Sequence, residues 1–161
     1  MLIFSKSCKY AIRACTYLFS NTNGVETEDK LIQLTEITND LELPKFFLAK
    51  ILNELTRRGA ISAYKGMRGG YTANDRTGSI TVYEIIVFIS GERSLNICLL
   101  GDDQCAYIDE KVGKCEMHTV SLEMREHLHG IFKDVTIEKL AIEGSRLAEI
   151  NTILDRSTPF K

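Results

Sequence analysis

Apolar residues in the first sixty positions recur at helical spacing. From Lys6 to Phe19, Tyr10, Ala14, Tyr17 and Leu18 return at intervals of three and four, which predicts a first helix. Ser5 or Ser7 stands where a side-chain oxygen caps such a helix. Residues 21–30 are polar, contain Gly24 and read as a loop. A short helix is predicted from Leu31 to Asn39, with Leu34 and Ile37 toward the core and Thr35 as an alternative start. Residues 41–44 form a turn that places Pro44 at the first helical position, where its missing N–H costs nothing. The next helix runs from Lys45 to Arg58, with Phe47, Leu48, Ile51, Leu52 and Leu55 as its apolar stripe. Gly59 ends it, and Arg57 and Arg58 complement its dipole in the last turn.

The period then shortens. Residues 60–64 predict a strand with Ile61 and Ala63 inward, residues 65–70 a Gly-rich turn, and residues 71–73 the returning strand. Thr81 caps another helix, with Glu84 at the capping-box position and Gly91 at the end. That helix is almost wholly apolar, so burial is expected. A long helix follows from 116 to 133, with Val120, Met124, Leu128 and Ile131 on one stripe, joined by Phe132 and Val135. Thr136 opens a final helix at 137–141, extending to about residue 150.

Two short helices across a tight turn, the second basic and followed by a Gly-rich hairpin, describe a helix-turn-helix with a wing. The expected fold is mainly α: a winged helix-turn-helix with a two-stranded wing and a long C-terminal dimerisation helix. The expected division is 1–90 for DNA binding, 91–117 for a cysteine-bearing loop, and 118–161 for the dimerisation and C-terminal helices. The long helix needs a cover for its apolar stripe. A second subunit supplies one, and DNA readers of this size are commonly two-fold dimers.

Charge sharpens this picture. The formal net charge of the 161 residues is −2. Residues 1–76 nevertheless hold 11 Lys or Arg against 8 Asp or Glu, and residues 77–161 hold 9 against 14. The excess is concentrated between Lys45 and Arg76, a local footprint suited to a phosphate backbone. Lys45, Phe46, Ala49 and Lys50 occupy the N-terminal part of the basic helix and are candidates for the major groove. Arg57, Arg58, Lys65 and Arg68 are candidates for phosphates or a minor groove. The glycines of the turn would let the backbone pass close to DNA. Tyr64 and Tyr71 are read as packing of the wing strands.

The candidate chemistry lies near the end of the chain. Cys98, Cys105, Cys115 and His118 fall within 21 residues, separated by polar, acidic sequence. Soft thiolates on such a segment suit zinc or an iron–sulfur cluster, and a metal-free thiol switch is the remaining chemistry. No stretch is long enough to span a bilayer, and the opening residues are not a signal peptide, so a cytoplasmic chain is expected. In that compartment clustered cysteines favour metal or redox roles over structural disulfides. The chain has no P-loop, nucleophile elbow or helical His-Glu-x-x-His, so no enzyme class is suggested.

These segments in this order resemble the Rrf2 family of winged-helix transcription regulators, over nearly the whole chain. The resemblance rests on Phe4-Ser-Lys-Ser-Cys-Lys-Tyr-Ala-Ile-Arg-Ala14, on Leu43 through Gly59, on Lys65-Gly-Met-Arg-Gly-Gly-Tyr71, on Ser79-Ile-Thr-Val-Tyr-Glu-Ile-Ile86, and on the three-cysteine segment. It implies binding of double-stranded DNA as a homodimer. Some members hold a [2Fe–2S] or [4Fe–4S] cluster through three such cysteines; others hold none and answer to a metabolite or partner protein. By resemblance, Cys98, Cys105 and Cys115 are the cluster ligands and His118 the fourth, the place a histidine takes in the [2Fe–2S] regulator of cluster biogenesis. The gap from Cys105 to Cys115 is longer than is usual in the family. Nitric-oxide-sensing members use an acidic ligand just before the first-helix tyrosine. Lys9 stands there in this chain, with Cys8 beside it. Lys65 matches the wing position where members place an arginine in the minor groove. Ala49 replaces the longer polar residue of the cluster-biogenesis regulator, so the resemblance does not carry over that regulator's operator.

Overall fold

The computed structural model of the chain describes residues 4–24, 26, 30–95 and 116–142, without the side chains of Glu116 and His118. The described elements are α1 (Lys6–Thr22), α2 (Leu34–Asp40), α3 (Lys45–Arg57), β1 (Ser62–Tyr64), β2 (Gly70–Thr72), α4 (Val82–Ser90), α5 (Glu116–Asp134) and α6 (Ile137–Ile142), with short 3₁₀ turns at Thr77–Ser79 and Glu92–Leu95.

Local chemistry sets the helix ends. The Ser5 hydroxyl accepts the Cys8 N–H at 3.2 Å and starts α1. The helix runs three residues past the expected Phe19 and stops at Asn23, which takes the left-handed conformation at φ 53°. Arg13 in α1 donates to the Leu41 carbonyl and so ties α1 to the turn between α2 and α3. Neither expected start of α2 is used: Gln33 stands at its cap without a side-chain bond. Pro44 is the cap of α3 rather than its first helical residue, one place earlier than expected. Gly59 follows α3 at φ +68°, where the Ala60 N–H reaches back to the Leu55 carbonyl. Thr81 and Glu84 form the expected capping box at α4.

α1 lies at the centre and packs against α3, α4 and α6. Ala11, Ala14, Cys15 and Leu18 on α1 meet Leu48, Leu52 and Leu55 on α3, Ile85 and Ile86 on α4, and Ile137 on α6 in one buried cluster. Burial of each leucine or isoleucine in it is worth about 1.5–3 kcal/mol. Tyr10 and Tyr17, expected on the core stripe of α1, are only half-buried.

Three expectations about faces need correction. Phe47 is 59% exposed, because Leu48, Ile51, Leu52 and Leu55 already close the buried stripe of α3. Ala63 is exposed, because the hairpin has left the body by that point and only Ile61, just before it, is buried. α4 is buried on one side alone: Val82, Ile85 and Ile86 face the core, while Val87, Phe88 and Ile89 are partly open.

The hairpin is antiparallel, with Ser62 opposite Thr72 and Tyr64 opposite Gly70. It is anchored to the body at Ile32, which exchanges two backbone hydrogen bonds of 2.9 Å with Tyr71. A second bridge joins Thr81 to Thr136. There the Val82 N–H donates to the Val135 carbonyl and the Ile137 N–H to the Ile80 carbonyl, both at 2.9 Å. α5 rests on α4, yet Met117, Val120, Leu122 and Ile131 remain exposed.

Candidate nucleic-acid interface

α3 presents its outer side to solvent. Phe46, Lys50, Asn53 and Arg57 are exposed and spaced by four, three and four, so they form one stripe along the helix. Lys45 is exposed beside them, and Ala49 is half-buried. The hairpin stands alongside. Lys65, Met67 and Arg68 at its end are all exposed. Between helix and hairpin runs an open groove of about 600 Å³, lined by Leu34, Asn53, Thr56, Arg57, Tyr64, Lys65, Gly66 and Tyr71. Cationic and hydrogen-bonding groups therefore face each other across a channel, with a helix on one side and a hairpin tip on the other.

Arg57 and Arg58 are not free cations. Glu54 accepts from Arg57 Nε at 3.0 Å and Nη2 at 2.7 Å, and from Arg58 Nε at 2.9 Å. Hydrogen bonds from Arg58 and then Arg57 hold the Glu54 carboxyl below its ordinary pKa. Arg58 also belongs to a second assembly. Its guanidinium and that of Arg76 lie 5.8 and 5.6 Å from the centre of the Phe88 ring. Arg76 further donates to the Arg58 carbonyl at 3.0 Å and to Glu84 at 3.1 Å. The C-terminal end of α3 is thereby fastened to α4. Tyr64 donates to Glu26 at 3.0 Å, which steadies the hairpin at the strand end beside its turn.

Sequence reasoning missed Asn53, Glu54, Phe88 and Arg76. The first two carried a readable signal: Asn53 is seven residues from Phe46, and Glu54 lies three and four residues before two arginines. Phe88 and Arg76 come together only through the fold.

Cys98, Cys105 and Cys115 lie outside the described residues, as does the side chain of His118, although its backbone belongs to the first turn of α5. Among the described residues, no group of three metal-ligating side chains occurs. Cys15 is fully buried on α1, and that burial pushes its thiol up to about 12, so it stays protonated. Cys8 is 1% exposed, and its Sγ lies 3.1 Å from the Ser90 hydroxyl at the end of α4. Both of the described cysteines are thus inside the protein's own core.

The family model described as iron-dependent transcriptional regulator, Rrf2, matches residues 4–143. The chain belongs to the Rrf2 family. A protein of Aquifex aeolicus (strain VF5) named as an HTH-type transcriptional regulator is 31% identical over 139 residues, covering 86% of this chain and 91% of its own length. The HTH-type transcriptional regulator IscR of Klebsiella pneumoniae is 25% identical over 117 residues, covering 73% and 69%. Among solved structures, CymR, the global cysteine regulator of B. subtilis, has a TM-score of 0.68 at 19% identity, covering 89% of this chain and 98% of its own. IscR of T. potens has a TM-score of 0.61 at 14% identity, covering 98% and 93%. Both share the winged helical fold with this Rrf2 chain. It is accordingly a transcription regulator by family. Among the described residues no helix is long and apolar enough to cross a membrane.

Proposed function

We propose that this Rrf2 regulator binds double-stranded DNA sequence-specifically as a homodimer and senses cellular state through an iron–sulfur cluster held by Cys98, Cys105 and Cys115, with His118 as fourth ligand. The observation that carries the DNA reading is the channel between α3 and the hairpin. An α-helix fits a major groove about 12 Å wide. With α3 there, a phosphate strand fits the channel, and the hairpin reaches the next minor groove. Lys45 and Lys50 stand at the leading end of α3 for base edges or phosphates. Phe46 offers an apolar face to thymine methyls, and Ala49 makes at most a short contact of the same kind. Lys65 and Arg68 act at the minor groove. Arg57 reaches a phosphate only in competition with Glu54, and Arg58 serves chiefly to hold α3 on α4.

The dimer reading rests on Met117, Val120 and Ile131, which α4 leaves uncovered on one side of α5. A second α5 is the natural cover, and it would pair two α3 helices for a two-fold operator.

Three thiolates and an imidazole form a donor set that fits a [2Fe–2S] or [4Fe–4S] cluster. A bound cluster would supply ligation sensitive to redox state, iron supply and nitric oxide at a segment that joins α4 to α5. The two described cysteines lie in the core, which leaves the other three as the thiols of that segment.

One experiment tests each half. The full chain, purified anaerobically, is examined by absorption and by iron and sulfide counts, then used to select duplexes from a random-sequence pool. The reading expects a coloured protein, an enriched palindrome, and affinity that changes on cluster loss. Affinity should fall with salt in proportion to the phosphates contacted. A colourless protein that still selects an operator and responds to oxidation through Cys98, Cys105 or Cys115 would replace the cluster with a thiol switch. Failure to enrich any sequence would sink the DNA reading.

A further inference from the structure

The tip of the hairpin carries an apolar side chain that no described residue covers. The Gly69 N–H donates to the Gly66 carbonyl at 3.0 Å, so Met67 and Arg68 are the two central residues of a tight turn. Met67 is 102% exposed, more than any other large apolar residue described. Single exposed apolar residues are common on proteins and by themselves mean little. Two features distinguish this one. It sits between Lys65 and Arg68, the cations of the hairpin, and it is presented rigidly. The hairpin is paired over three residues of each strand, bonded to Ile32 behind, and steadied by Tyr64 on Glu26. A Cβ on Gly69 would lie 2.4 Å from the Tyr64 carbonyl oxygen, so the turn keeps its shape only with glycine there.

We propose that Met67 is a minor-groove wedge. Lys65 and Arg68 bring the tip to the phosphates, and the Met67 thioether enters between neighbouring base pairs and partly unstacks them. This rests on the DNA-binding reading above and adds a mode of recognition to it. Apolar wedges from minor-groove proteins, methionine among them, kink duplexes by about 20–90°. Methionine suits the task because its unbranched, polarizable side chain adapts to an irregular gap. The charge around the tip argues for DNA over a protein partner, because an apolar protein surface would have to desolvate two flanking cations. The wedge reads deformability instead of base edges. Pyrimidine–purine steps such as TpA open readily and A-tracts resist, so selectivity arises at a step no side chain reads directly.

The test uses the full chain on duplexes that it has itself selected from a random pool, labelled at both ends for energy transfer. A TpA step is then moved along the site, against ApA at the same places. The wild type should bend the duplex and prefer TpA under the wing by about tenfold. Met67→Ala should leave the duplex nearly straight and shrink that preference to about twofold or less, while Met67→Leu restores both. Exposure of the residue makes misfolding of either variant no concern, and circular dichroism checks it. A wild-type complex with a straight duplex overturns the proposal, as does a Met67→Ala complex bent as far as the wild type. Absence of any selected sequence would overturn the DNA-binding reading first, and the wedge with it.

Discussion

Gly70→Ala should be among the most damaging single-methyl changes in this chain. The glycine is buried at the start of β2, and an added Cβ would lie 2.7 Å from the Ile32 carbonyl oxygen and 3.0 Å from its carbon. Those atoms are backbone, so no rotamer relieves the clash. Either Ile32 moves away or β2 does, and both routes break the pair of 2.9 Å bonds between Ile32 and Tyr71. Each bond contributes roughly 1 kcal/mol net, and a buried group left without a partner costs about 1–3 kcal/mol. A loss of about 2–4 kcal/mol is therefore expected, a large part of a typical stability of roughly 5–15 kcal/mol. Gly130→Ala is the matched control. It adds the same methyl on α5, where nothing lies within 4 Å, and should gain up to about 1 kcal/mol from helix propensity. Urea unfolding gives both free energies, and amide exchange at Ile32 and Tyr71 tells local release of the hairpin from global loss. A Gly70→Ala protein within about 0.5 kcal/mol of wild type, with both amides still protected, would refute the argument; the cited cost of a lost hydrogen bond leaves no room for it.

Three further outcomes are expected. Stability should decline in acid. Arg58 and Arg57 hold Glu54 below the ordinary glutamate value of 4.5, and for Glu84, although burial pushes it up, the Thr81 N–H, Arg76 and the Thr81 hydroxyl win and hold it below. A depressed folded pKa gives stability that is complete above 4.5 and is lost as pH falls through the folded values. Urea midpoints against pH should show this, and a Glu54→Gln, Glu84→Gln double variant should flatten the acid limb. Cys15 should resist iodoacetamide in the native chain at neutral pH and react once unfolded, as read by mass spectrometry. Cys15→Ser should cost about 1–3 kcal/mol for a buried hydroxyl. Val120→Glu with Ile131→Glu should convert a dimer to a monomer in sedimentation and abolish binding to a palindrome; a wild type already monomeric at working concentration would remove the dimer reading.

Local chemistry was readable in the sequence, and distant pairing was not. Ser5, Gly59 and the Thr81–Glu84 box announce helix ends because each acts within four residues of itself. Leu48, Leu52 and Leu55 announce the buried face of α3 for the same reason. Phe47 misled because apolarity alone does not say where a stripe stops; three leucines and an isoleucine filled the face before it. From sequence alone the glycines at 69 and 70 suggest clearance for DNA. Gly69 is required by the turn itself, and Gly70 by Ile32, which lies far earlier in the sequence and comes beside it only in the fold. Likewise the sequence placed Lys45, Lys50, Lys65 and Arg68 on a basic segment, and the structure leaves all four exposed on α3 and the hairpin. The Glu54 clasp on two of the candidate arginines is local too, since Arg57 and Arg58 follow it at i+3 and i+4.

The bridge between Thr81 and Thr136 divides the chain in a way its order does not suggest. Two hydrogen bonds stitch the start of α4 to the start of α6, from the Val82 N–H to the Val135 carbonyl and from the Ile137 N–H to the Ile80 carbonyl. The C-terminal end of α5 is thereby fixed beside the first turn of α4. α5 is held at its Asp134–Val135 end by that stitch, which makes that end the pivot for any tilt of the helix and Glu116 its far end. Its 19 residues reach about 28 Å at 1.5 Å per residue, so a tilt of about ten degrees at the pivot carries the free end roughly 5 Å. In sequence, Cys115 directly precedes Glu116 and so joins α5 at the end farthest from that stitch.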